Sequence, residues 1–211
     1  MAVFTPVSEA QLESWLARYD VGRLLVARGI AQGIENTNYF VDTERGSWVL
    51  TLIERIPQEE VPFYVRLMKH LAQHGIPCPE PATDRNGQLW SILNGKPATL
   101  VTRLPGTQVD HPDTAHCEIV GSLLARMHLA AQDFGPAPAN SRGLAWWPGA
   151  FAAIEQEITA GQAAIIRDEI ATQQAFARSD AWPRLPHSPV HADCFRDNVL
   201  FDPVAGPGVI D

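Results

Sequence analysis

The sequence predicts an α+β fold in two parts. Residues 1–104 form a small antiparallel-sheet lobe with one long helix, and residues 105–211 form a mainly helical lobe closed by a late hairpin. Three observations carry this. Short runs rich in β-branched and aromatic residues, separated by tight-turn signals, fill the first half. That pattern stops at Leu104-Pro105-Gly106. Beyond it, apolar residues recur at helical spacing until Pro189, where strand-like pieces return.

Taken in order, Ser8 with Gln11 three residues later is a capping-box start for a helix reaching about Tyr19. Residues 22–29 read as a first strand. Residues 38–42 and 47–55 flank the polar tetrad 43–46 and read as a hairpin. Pro57 ends its second strand. Residues 58–74 place Val61, Val65, Met68 and Leu71 on one helical face, and Gly75 stops the helix. Pro77, Pro79 and Pro81 make an extended connector. Asn86-Gly87 and Asn94-Gly95 bracket a short strand at 88–93 and lead into another at 97–104. Residues 113–131 are helical, with Ile119, Leu123, Met127 and Ala130 at helical spacing. Further helices are expected at 150–160 and 163–177, and short strands at 189–191, 198–202 and 209–211.

The charge balance, 24 acidic against 16 basic residues for a net −8, excludes nucleic acid and anionic membrane as main partners, because both need clustered Lys and Arg. Cys78, Cys117 and Cys194 are sparse and odd in number, which fits a reducing compartment. The first residues lack a charged, apolar leader, and no run approaches the roughly 18 apolar residues of a membrane span. A soluble cytoplasmic protein is expected.

The most informative stretch is 188–211, SPVHADCFRDNVLFDPVAGPGVID. His191-Ala-Asp193, then Asn198, then Asp211 each adjoin a short apolar run, which places two carboxylates and an amide at the ends of buried strands. Phosphoryl transfer needs such a set: one carboxylate orients the attacking hydroxyl, while oxygen ligands hold Mg²⁺ on the nucleotide phosphates. Asp193 suits the first role, and Asn198 and Asp211 the second. Singly, an Asp before a turn is usually a cap and an Asn after a loop a strand start; the reading rests on the three together.

His191-x-Asp193-x-x-x-x-Asn198 followed by Gly-Val-Ile-Asp211 resembles the catalytic loop and metal-binding aspartate of the aminoglycoside-phosphotransferase-like kinases, a group similar in fold to protein kinases. Gly33-Ile-Glu-Asn36-Thr37-Asn38-Tyr-Phe-Val resembles, more narrowly, the phosphate loop of the bacterial homoserine kinases in that group. Val49-Leu-Thr-Leu, Gly75-Ile-Pro-Cys-Pro-Glu-Pro and Leu104-Pro-Gly106 add to the match. The resemblance implies a protein-kinase-like two-lobe fold, ATP and Mg²⁺ as cofactors, and a small-molecule alcohol, L-homoserine, as acceptor. Choline, methylthioribose and aminoglycosides are the alternative acceptors, and a non-catalytic nucleotide-binding fragment is the alternative outside catalysis. It further implies that Gly33, Asn36, Thr37 and Asn38 cover the phosphates, that Val101 walls the adenine, and that the backbones of Thr102 and Leu104 hydrogen-bond it.

Two departures stand out. Kinases of this fold carry a Lys or Arg on the third strand to hold phosphates; here that position is Thr51. Strand alternation would put Thr51, Ile53 and Arg55 on one face, which makes Arg55 the candidate substitute. Family members also continue well past Asp211, so the chain is expected to be a fragment with apolar faces of 113–131 left uncovered. Elsewhere, His70 and His74 are four apart on a helix but show no third ligand, and read as a solvated face. His128 reads as a packing residue, His111 and His116 as surface, and Cys194 as a thiol with no nucleophile's role.

Overall fold

The computed structural model describes residues 3–31, 35–135 and 138–210. The elements run α1 (Glu9–Leu16), β1 (Leu24–Gly29), β2 (Thr37–Thr43), β3 (Gly46–Leu52), α2 (Val61–Gln73), β4 (Ser91–Leu93), β5 (Lys96–Thr102), α3 (Thr114–Ala130), α4 (Trp147–Ile154), α5 (Ala160–Ala177), β6 (Val199–Asp202) and β7 (Gly206–Val209). The first five strands form one antiparallel sheet in the order β1-β2-β3-β5-β4, and β6 and β7 pair as a separate hairpin.

Local chemistry explains the boundaries. Ser8 and Gln11 make the expected reciprocal cap on α1. The turn between β4 and β5 puts Asn94 and Gly95 at φ of 50° and 79°, the doubly left-handed geometry for which Asn-Gly is suited. β3 stops at Leu52, three residues short of the expected end. The Ile53 N–H still reaches the Pro97 carbonyl, but its side chain packs with Val61 and Val65 of α2, away from the residues that Leu50 and Leu52 pack against. The expected strand at 189–191 is loop, and no strand among the described residues pairs with it.

Contacts divide the chain into two units, 1–136 with 188–211, and 137–187. In the first, Leu12, Trp15 and Leu16 of α1 pack on one face of the sheet against Val41, Leu50, Leu52 and Leu100. A second cluster joins Leu71, Ile76 and Cys78, at and beyond the end of α2, to Leu123 and Met127 of α3 and to Val209 of β7. Ile119, expected in that stripe, is 43% exposed, and Leu129 is 64% exposed. The second unit contains α4 and α5; α5 starts on a Thr159–Gln162 capping box, and Phe176 packs edge-on against Trp182. No helix among the described residues is long and apolar enough to cross a membrane.

Candidate active site

The loop before β6 is held by its own backbone. Ala192 sits at φ +61°, a region that costs a residue with a Cβ and turns the chain sharply between His191 and Asp193. The Asp193 N–H donates to His191 Nδ1 (3.3 Å), which leaves the ring proton on Nε2, a buried atom with no partner among the described residues. The Asp193 carbonyl accepts from the Phe195 N–H and from Asn198 Nδ2, both at 2.9 Å. Its carboxylate is exposed and has no partner among the described residues.

Asn198 is pinned from three sides. Besides its bond to Asp193, its N–H donates to the Phe195 carbonyl and its carbonyl accepts from the Ile210 N–H, each at 2.9 Å. Val199 and Val209 pair across the hairpin just inside this point. With the amide nitrogen committed to Asp193, the Oδ1 oxygen is the free end of Asn198, and an amide oxygen is a ligand Mg²⁺ accepts. Asp211, the other expected metal ligand, and Gly33 of the expected phosphate loop lie outside the described residues.

Two glycines bolt this hairpin to the segment after β5. Thr107 and Phe201 exchange both backbone hydrogen bonds, at 3.1 and 2.9 Å. Gly106, at φ +102°, passes so close that a Cβ there would lie 2.7 Å from the Phe201 carbonyl carbon and oxygen. A Cβ on Gly208 would lie 2.8 Å from Leu104 Cδ1. The Val209 N–H donates to the Pro77 carbonyl at 2.9 Å. Pro77, the stretch 104–107 and the hairpin at 199–209 therefore meet in one place. Glycines at 106 and 208 were the sequence signal for that contact, which only the tertiary structure interprets.

In the sheet, cross-strand partners share a face. Asn38 pairs with Thr51, which pairs with Thr99; Phe40 pairs with Val49, which pairs with Val101. Asn38, Thr51 and Val101 thus share the face opposite α1. Thr51 Oγ1 donates to Asn38 Oδ1 at 2.7 Å, and Asn36 Oδ1 accepts from the Glu54 N–H at 3.3 Å. Arg103, passed over in the sequence, lies 4.1 Å over the Phe40 ring.

Thr37 does not belong to this face. It is fully buried; its hydroxyl donates to Glu54 Oε1 (2.7 Å) and accepts from the N–H groups of Phe4 and Thr5 (2.9 and 3.1 Å). Glu54, with a side chain 9% exposed, also pairs with Lys96 at 3.0 Å. Burial pushes the Glu54 pKa up, but hydrogen bonds from Thr37, Thr5 and Lys96 outweigh it and hold the pKa below its ordinary value. Arg55 is also displaced from the expected position: β3 has ended, alternation no longer applies, and the side chain is exposed in the following bend. Of the two hinge backbones, the Thr102 N–H is taken by the Glu80 carbonyl at 3.0 Å, whereas the Leu104 N–H has no partner among the described residues. Burial and then the charge of Asp193 push the Cys194 thiol pKa up, so it stays protonated beside the loop.

The family model for the phosphotransferase enzyme family matches residues 26–211. The chain belongs to that family. Among its phosphotransferase relatives is the homoserine kinase of Paraburkholderia phymatum, 47% identical over 201 residues, covering 95% of this chain and 62% of the relative. The homoserine kinase of Burkholderia vietnamiensis is also 47% identical, over 95% of this chain and 60% of its own length. The chain thus spans about three-fifths of the curated relatives it matches. Solved structures of the same fold include a spectinomycin phosphotransferase bound to ADP and spectinomycin. It has a TM-score of 0.64 and 16% identity over 98% of this chain and 69% of that one. A microcompartment-associated aminopropanol kinase gives a TM-score of 0.67 and 17% identity over 97% of this chain and 69% of its own. The protein-kinase-like α+β expectation is met.

Proposed function

We propose that this chain supplies the nucleotide-binding lobe, residues 1–104, and part of the catalytic lobe, residues 105–211, of a homoserine kinase. It transfers the γ-phosphoryl group of ATP to the side-chain hydroxyl of L-homoserine in the cytoplasm, a step toward threonine. The observation that carries this reading is the Asp193–Asn198 lock: one hydrogen bond fixes the spacing between an unpartnered carboxylate and a free amide oxygen. The 47% identity to homoserine kinases over 95% of the chain supports the choice of acceptor.

In this reading the Asp193 carboxylate accepts a hydrogen bond from the homoserine hydroxyl and takes its proton as the oxygen–phosphorus bond forms. The bond between phosphorus and the departing ADP oxygen breaks in line with it. Asn198 Oδ1, with Asp211, would hold Mg²⁺. That ion neutralises phosphate charge when bound. The Leu104 N–H serves the adenine, with Val101, on the sheet face opposite α1, beside it. Asn36 and Asn38 offer neutral amides to the phosphates. Thr51, hydrogen-bonded to Asn38, orients one of them where related kinases place a cation.

The test is ADP release by wild type and Asp193→Asn with homoserine, choline, methylthioribose and an aminoglycoside in parallel. Homoserine should be preferred, and Asp193→Asn should lose at least about 100-fold in kcat with ATP binding nearly intact. Near wild-type turnover in that variant would sink the assignment. The exposed Ile119 and Leu129 faces of α3 favour a second reading for the isolated chain, ATP binding without turnover. Calorimetric binding of Mg-ATP with no ADP release from any acceptor would select it.

A further inference from the structure

We propose that His70, His74 and Asp133 form a binding site for a first-row divalent transition-metal ion, Zn²⁺ foremost, where the C-terminal ends of α2 and α3 meet. This reading lies outside the phosphotransfer site and does not depend on it. His70, in the last turn of α2, and His74, its C-cap, stand four residues apart with ring centroids 4.0 Å apart. Asp133, in the turn after α3, brings the third ligand that the sequence around the histidines lacks. One ligand atom from each of the three lies within 4.8 Å of the others.

The separation is specific. Two donors on a tetrahedral zinc, each about 2.0–2.1 Å from the ion, stand about 3.3 Å apart. His70 Nε2 and Asp133 Oδ1 stand 3.4 Å apart. His74 Nδ1 lies 2.8 Å from the His70 carbonyl, and as the donor of that bond it leaves the Nε2 lone pair for the metal. A backbone carbonyl holding the second ring nitrogen is the support that ligating histidines usually have. His70 Nε2 lies 2.7 Å from the Ala130 carbonyl, so in the metal-free protein it carries a proton. A ring that binds the ion through Nε2 carries its proton on Nδ1, so binding switches the His70 tautomer: the Nε2 proton is lost, Nδ1 takes one up, and the ring stays neutral.

The site is also already assembled. Leu71 and Ile76 pack with Leu123, Met127 and Ala131, and Arg126 Nη2 donates to the Gly75 carbonyl at 3.1 Å. The two helix ends are therefore in contact before any ion arrives, and Phe134 covers His70 with ring centroids 5.1 Å apart. Imidazole ligands favour Zn²⁺, Ni²⁺ or Cu²⁺ over Mg²⁺, so nucleotide-bound magnesium does not compete here. Three protein ligands leave one tetrahedral position for water.

The experiment is Zn²⁺ titration of the chelator-stripped full chain against a chromophoric competitor, alongside thermal melting. One Zn²⁺ should bind per chain and raise Tm. His74→Ala and Asp133→Asn should each weaken binding at least about tenfold and abolish the Tm rise. Both side chains are exposed, and the metal-free Tm of each variant reports its fold. Co²⁺ in place of Zn²⁺ should give visible d–d bands without a thiolate charge-transfer band. Absence of stoichiometric binding, equal binding by wild type and both variants, or a thiolate band from a cysteine site would each overturn the proposal.

Discussion

Replacing Gly106 with alanine is the sharpest test of how the hairpin carrying Asn198 is held. The residue sits at φ +102°, and its new Cβ would lie 2.7 Å from the Phe201 carbonyl atoms and 2.9 Å from the Asp202 nitrogen. Neither obstacle is a flexible side-chain end, so the hairpin itself must retreat. Left-handed backbone costs an L-residue about 1–2 kcal/mol. Retreat also strains the pair of hydrogen bonds between Thr107 and Phe201, each worth about 1 kcal/mol net. The sum, about 3–4 kcal/mol, corresponds to a Tm lower by about 6–16 °C in a chain of this size. Gly75→Ala is the matched control. Its φ is +72°, but nothing lies within 4 Å of the added Cβ, so only the backbone term of about 1–2 kcal/mol applies. Thermal melts of both variants, followed by ADP release at a temperature where both are folded, separate the two contributions. Gly106→Ala should melt lower and also lose turnover, because Asn198 shifts with the hairpin. If its Tm matches that of Gly75→Ala, the close approach does not fix the hairpin.

Other outcomes follow from individual residues. Arg55→Ala should leave the KM for ATP unchanged in the ADP-release assay, because the residue lies beyond β3 and is exposed. Thr37→Val should cost about 1–3 kcal/mol in urea unfolding, since it leaves Glu54 and two backbone N–H groups short of a partner, while ATP affinity stays near wild type. Acid stability turns on Asp84, whose side chain is 1% exposed. Burial raises its pKa, but N–H bonds from Gln88 and Asn86 and the Arg18 guanidinium outweigh this and leave it below the ordinary value. A depressed folded-state pKa gives stability that is present above the unfolded value, about 3.9, and lost as pH falls through the folded value. Urea unfolding between pH 6 and pH 3 should therefore show a slope that Asp84→Asn reduces; an unchanged slope would remove Asp84 from the account.

What the sequence made legible was what local chemistry decides. Asn94-Gly95 announced its turn because both residues tolerate left-handed backbone, and the stripe of Val61, Val65 and Leu71 announced α2 because all three are buried at helical spacing, the valines against Ile53 and the leucine against α3. That Asp193 and Asn198 lie close together was legible because a loop of four residues joins them, and one hydrogen bond links them. Arg55 was misplaced because alternation was carried past Leu52, where Ile53 leaves one cluster for another. Thr37 adjoins Asn38 in β2, so alternation turns it to the other face, where it pairs with Leu52 and bonds Phe4, Thr5 and Glu54. Asp133 is far from His70 in sequence, so nothing local could join them; the packing of α2 on α3 does.

The contact of Leu104 with Gly208 has a consequence for how this sequence can drift. Leu104 Cδ1 occupies the space where a side chain at 208 would begin, so the two positions share one fixed volume. Leu104 Cδ1 is the movable end of a side chain, so an alanine or serine at 208 would turn the leucine into another rotamer or favour a smaller residue at 104. Larger residues at 208 and smaller ones at 104 should therefore appear together in relatives more often than apart.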